Sequence, residues 1–133
     1  MKIIDIHTHI YPDDIAQKAS NSVKEFYEGL GDPTMSGTEN MLMQRGKLAG
    51  IDRFVILPVA IRPDRVKSIN NFVYQRSQDN RSLIPFATVH AAMDGLTDEV
   101  ERMIALGVKG IKCIRTPRDF QLMIKDCFLC MKR

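Results

Sequence analysis

Four times along this chain a short apolar run is followed by an amphipathic stretch, and that alternation restricts the fold more than any other feature. Lys2 to His9 reads as a strand, with Ile3, Ile4 and Ile6 forming a β-branched cluster. Arg53 to Val59, Leu83 to His90 and Lys109 to Ile114 read as three more. Nearly continuous apolar runs suit strands buried on both faces, as in parallel sheets. Helices fill the gaps. One starts at Asp13 or Asp14, runs to about Glu28 and is ended by Gly29. Thr38 to Ala49 is a second, with Gly50 just past its end, and Asp64 to about Ser77 a third. Thr97 is the expected N-cap of a fourth, with Val100, Met103 and Ile104 as its apolar stripe and Gly107 as its stop. A fifth is expected from about Asp119. Strand–helix–strand units imply right-handed crossovers and a parallel sheet. The expected class is α/β. An open four-stranded sheet fits it. So does a partial (β/α) TIM-type barrel of about four parallel strands with flanking helices, since a complete one takes ~250 residues.

Length and composition narrow the functions. A chain of 133 residues is one domain by the usual prior. The net charge of +3 is small, and basic residues sit beside acids, as in Asp52-Arg53 and Asp64-Arg65, so a nucleic-acid partner is not expected. No apolar run approaches the roughly 18 residues of a membrane span, and the N-terminus lacks a signal-peptide pattern. The expected location is cytoplasmic. Three cysteines argue against a disulfide scaffold. Cys127 and Cys130 form a C-x-x-C, but zinc would need a second pair, so two neighbouring thiols are the simpler reading.

The string Ile4-Asp5-Ile6-His7-Thr8-His9-Ile10-Tyr11-Pro12 carries the chemistry. Strand side chains alternate, so Asp5, His7 and His9 are expected on one face. The roots of the two imidazoles would lie about 7 Å apart, near enough to converge on one divalent cation. They fall at the C-terminal end of a strand, where β/α barrels place their sites.

With that string, the chain resembles the amidohydrolase superfamily, in particular its amidohydrolase-2 group. "FVILPV" at 54–59, "IPFATVH" at 84–90 and "GVKGIKCI" at 107–114 follow in the family's order. The resemblance implies that residues 1–133 are the N-terminal half of a metal-dependent hydrolase barrel acting on C–N or ester bonds, or on a related decarboxylation of a small-molecule substrate. It implies a divalent metal, usually zinc, on His7 and His9. Relatives complete the site with histidines from the fifth and sixth strands and an aspartate from the eighth, which this length excludes. The metal acidifies a water and polarises the substrate, and the aspartate handles the proton. At the fourth strand relatives often read Ile-Lys-Leu-His-Pro; here Lys112 matches and Ile114 stands at the histidine position. The last residues depart from the family pattern and suggest a truncated or frame-altered gene.

Further candidates each have two readings. His90, at the end of the third strand, either contacts substrate or a metal-bound water or merely starts a loop. Lys112 either pairs with a buried Asp5 or, more rarely, is carbamylated and bridges metals. Tyr11 lines a pocket or packs on the first helix. Arg62 and Arg65 grip a substrate carboxylate or are solvated. Met35, Met41 and Met43 pack rather than bind ligand. Half a barrel would expose two strand edges and an inner face, so self-association is expected. The competing functions are a non-catalytic remnant and a histidinol-phosphatase-like phosphoesterase. The second also begins with H-x-H, but it usually continues into a Ser-Asp-Gly-type loop that Ile10-Tyr11-Pro12-Asp13-Asp14 does not match. Nuclease-like relatives expect an acid on the fourth strand, which offers Lys112 instead.

Overall fold

The computed structural model describes residues 2–26 and 36–113. In chain order they form β1 (Ile4–Thr8), α1 (Asp13–Phe26), α2 (Glu39–Leu48), β2 (Arg53–Ile56), a short 3-10 turn (Pro63–Arg65), α3 (Val66–Asp79), β3 (Leu83–Pro85), β4 (Ala87–Val89), α4 (Leu96–Ala105) and β5 (Ile111–Cys113). The expected fifth helix, Met35, Cys127 and Cys130 lie outside the described residues. Among the described residues no helix is long and apolar enough to cross a membrane. The chain divides into two compact units, Met1–Ile56 with Asn80–Ile84, and Leu57–Asp79 with Pro85–Arg133.

The first unit holds a three-stranded sheet in the order β1-β2-β3. β1 and β2 are parallel. The expectation that the first strand is buried on both faces fails: Ile4 is 46% exposed and Ile6 74%. Among the described residues β1 is an edge of this sheet, and nothing covers the face that carries Ile4 and Ile6. After its exposed first residue, Arg53, β2 is apolar, and its Phe54, Val55 and Ile56 are buried. α2 begins where the sequence indicates. Thr38 is the N-cap, its hydroxyl accepting the Met41 N–H at 3.2 Å. Gly50, at φ +69°, follows the C-cap Ala49.

Gly46, inside α2, is buried because the Phe54 ring lies on it; a Cβ at that position would overlap the Phe54 ring edge. Alanine there would gain about 1 kcal/mol of helix propensity. Against this, overpacking a closed core costs roughly 1–3 kcal/mol, and Phe54, at 1% exposure, has nowhere to go. Gly46→Ala is therefore expected to lower stability by up to about 2 kcal/mol, read as a fall in the urea midpoint. A rise would show that the ring can yield.

The second unit holds α3, α4 and the parallel pair β4-β5, in register Ala87↔Ile111, Thr88↔Lys112 and Val89↔Cys113. The third expected strand is thus broken into β3 and β4 at Phe86, next to Pro85, which has no N–H to give a ladder. Gly110 repeats the Gly46 arrangement, with the Phe86 ring on its α-carbon. α3 buries Val66, Asn70, Val73 and Ser77, a stripe at helical spacing. The cap of α4 lies two residues before the expected one. Its N-cap is Gly95, at φ +67°, and Thr97 falls inside the helix. A left-handed residue turns the chain sharply enough for Glu99 N–H to reach the Gly95 carbonyl at 3.0 Å. Ala87, Met103 and Val108 pack together with Tyr74 against them.

One polar cluster runs through this unit. Ala87 N–H donates to the Gly110 carbonyl, towards β5, so the backbone N–H and carbonyl of Thr88 point the other way. There the Asn70 side chain takes the place of a strand. Its Oδ1 accepts the Thr88 N–H at 2.8 Å, and its Nδ2 donates to the Thr88 carbonyl at 3.0 Å. The same Nδ2 donates to Glu99 Oε1 at 2.8 Å, and Arg102 grips Glu99 with two bonds of 2.9 and 2.7 Å. Asn70, Thr88 and Glu99 are all buried.

Burial pushes the Glu99 carboxyl upward most strongly, but Arg102 and Asn70 together outweigh it and hold the group below its usual 4.5. A depressed folded value means the unfolded chain takes up the proton first. Glu99 thus contributes stability fully above about pH 4.5, and that contribution is lost as pH falls through the lower folded value. Urea midpoints from pH 7 to pH 3 are expected to fall more steeply in the parent than in Glu99→Gln. Parallel curves would contradict this.

Candidate metal centre

His7 lies in β1 and His9 one residue past its end. The register explains their approach. Asp5 pairs with Phe54 and Thr8 with Ile56, so three steps on β1 oppose two on β2. One extra residue is therefore accommodated between Asp5 and Thr8, a bulge of the kind that re-aims side chains next to functional sites. Within it the His7 N–H donates to Asp5 Oδ1 at 3.0 Å. Beyond it the buried Thr8 hydroxyl donates to the Val55 carbonyl at 2.8 Å and ties the strand end back to β2. Asp5 is half-buried rather than buried, and its contact with His7 makes it a support for the bulge.

The two imidazole centroids are 5.2 Å apart with the rings inclined at 65°. Two rings each coordinating one tetrahedral ion at about 2.1 Å would have centroids roughly 5 Å apart. The pair thus has the separation that a shared divalent cation needs. His7 is exposed and His9 half-buried, so a small ion could reach them. Among the described residues, no group of three or more His, Cys, Asp or Glu forms a metal cluster. Two imidazoles are half of a tetrahedral set.

Tyr11 follows the pair. Its N–H donates to the Gly37 carbonyl at 3.0 Å, and its ring lies against Gly37 beside the Ser20 hydroxyl of α1. This favours packing over a free pocket wall, and burial raises the phenol above its usual 10.0. An open depression of about 510 Å³ in the same unit is lined by Met43, Lys47, Ile51 and Ser82 among others and includes neither histidine.

The remaining candidates belong to the second unit. Arg62 is held by two bonds of 3.0 and 2.9 Å to Asp64, and Arg65 lies 3.5 Å from the same carboxylate. All three are more than half exposed, which matches solvated surface residues. Lys112, in β5, is half-buried, and burial pushes its ammonium below the usual 10.5. His90 follows β4; its Nδ1 accepts the Ala92 N–H at 3.1 Å.

Sequence reasoning found the histidine pair but missed the bulge and the Thr8 tie. A threonine between two histidines was the available signal, since only its hydroxyl can bond across the sheet while its methyl packs.

No protein-family model and no curated protein matches this chain. Among solved structures it is similar to an uncharacterized TIM-barrel protein, Bb4693 from Bordetella bronchiseptica, with a TM-score of 0.62 and 15% identity over 85% of this chain. The match covers 43% of that protein, so this chain spans less than half its length. Parallel strands, flanking helices and this likeness make the fold that of a partial (β/α) TIM-type barrel.

Proposed function

We propose that the chain is the N-terminal part of a metal-dependent hydrolase of the amidohydrolase type, acting in the cytoplasm on C–N or ester bonds of a small molecule, or on a related decarboxylation. One observation carries the reading: two imidazoles 5.2 Å apart at the C-terminal end of β1. The barrel fold supports it, because strand C-terminal ends are where such folds hold their chemistry. A divalent metal, zinc by preference, would supply Lewis-acid charge to a substrate carbonyl and acidify a water. His7 and His9 would hold it, and Asp5, through the His7 N–H, keeps the bulge that aims the first ring. Thr8 fixes the strand end on which both depend. Two protein ligands fall short of the three that catalytic zinc sites use, so the chain by itself is proposed to be inactive. The test is metal content of the purified chain beside His7→Ala and His9→Ala. A parent that takes up no metal would end the reading.

Self-association belongs to the same proposal. β1 is a sheet edge carrying Ile6, 74% exposed, and exposed apolar edges invite pairing. Ile6→Lys is expected to lower the average mass in light scattering while leaving the urea midpoint within about 0.5 kcal/mol, as for most surface substitutions. A parent that is already monomeric would refute this part.

A further inference from the structure

We propose that His90 is a fixed hydrogen-bond donor, presenting Nε2–H to a carbonyl or carboxylate oxygen, and that it serves as neither a general base nor a metal ligand. This deepens the hydrolase reading and rests on it for the identity of that oxygen as substrate.

The argument starts from the ring's other nitrogen. Nδ1 accepts the Ala92 N–H at 3.1 Å. An accepting nitrogen carries no proton, so the neutral ring has its hydrogen on Nε2. A base or a ligand acting through Nε2 needs the opposite tautomer, with the hydrogen on Nδ1. That hydrogen would point at the Ala92 N–H, donor against donor. Metal-binding histidines have the reverse arrangement, their second nitrogen donating to a carbonyl or carboxylate. Here the second nitrogen is met by a donor.

Backbone bonds on both sides fix the chain from which the ring projects. Downstream, Met93 N–H donates to the His90 carbonyl at 3.0 Å and closes a tight turn. Upstream, Thr88 is held at both polar groups by the buried Asn70 amide. His90 is half-buried at the C-terminal end of β4, so its outer nitrogen is constrained but reachable. A neutral imidazole held this way stabilises negative charge on oxygen without giving up a proton.

Long-range ¹⁵N–¹H spectra of the full chain above pH 8, without added metal, test the assignment. The expected result is the Nε2–H tautomer for His90, and a saturable shift of that signal with sodium acetate that sodium chloride does not reproduce. His90→Ala should remove that signal, confirming its assignment, and weaken exchange protection of the Ala92 amide. The His7→Ala/His9→Ala variant should keep the response, so failure of the metal reading and failure of this one are separable. An Nδ1–H tautomer, or equal responses to acetate and chloride, or none to either, would overturn the proposal.

Discussion

Asn70→Ala is expected to destabilise the protein by about 3–5 kcal/mol, the largest effect of any single substitution considered. Three hydrogen bonds disappear together. The Thr88 N–H and carbonyl lose their partner inside a unit where Thr88 has 0% exposure, and each orphaned buried group costs about 1–3 kcal/mol. Glu99 keeps Arg102 but loses a donor to a carboxylate that water does not reach. Typical domains hold about 5–15 kcal/mol in total, so this variant stands near the limit of folding. Asn70→Asp is expected to do no better, because it removes the Nδ2 donor and sets a second carboxylate against Glu99. Urea unfolding followed by circular dichroism measures both. A loss below about 1 kcal/mol for Asn70→Ala would mean that water replaces the amide and that the cluster is not closed.

His7→Ala and His9→Ala should each weaken zinc binding at least ~100-fold, beyond the 10–100-fold that loss of an outer-shell partner costs. Each removes one of only two ring donors at the proposed centre. Asp5→Ala should cost less, about tenfold, since it removes only the acceptor that supports the His7 N–H. Competition with a chromophoric chelator gives the affinities. Cys127 and Cys130 are thiols that could take zinc on their own, so the series is best run with both changed to serine. His7 is exposed, and its replacement should leave the urea midpoint nearly unchanged, which separates loss of a ligand from loss of fold. Single variants that bind zinc as tightly as the parent would refute the shared-cation geometry.

Much of the architecture was legible because it rests on local rules. The Thr38 cap and Gly50 stop are written in residues whose preferences need no tertiary context. The histidine pair was legible for a related reason, since alternation along a strand sets which side chains share a face. What was not legible depended on partners distant in sequence. The burial expected for Ile4 and Ile6 presumed layers on both faces, and among the described residues nothing covers theirs. Glu99 lies in the first turn of α4, yet it is the buried hub between α3 and α4. A hint was present: Asn70 sits mid-helix, where asparagine competes with the backbone and is disfavoured. A polar residue in a position that local preference discourages asks for a long-range partner, here Thr88.

Gly46 and Gly110 carry a lesson about sequence drift. Both accept an aromatic ring where any side chain would begin. In a saturation library selected only for soluble expression, these two sites should be enriched in glycine and depleted of large side chains, although nothing about their chemistry is special. Paired change would relieve the crowding, with Phe54 or Phe86 shrinking as the glycine grows. Lineages that drift at one member of a pair should therefore be found altered at the other.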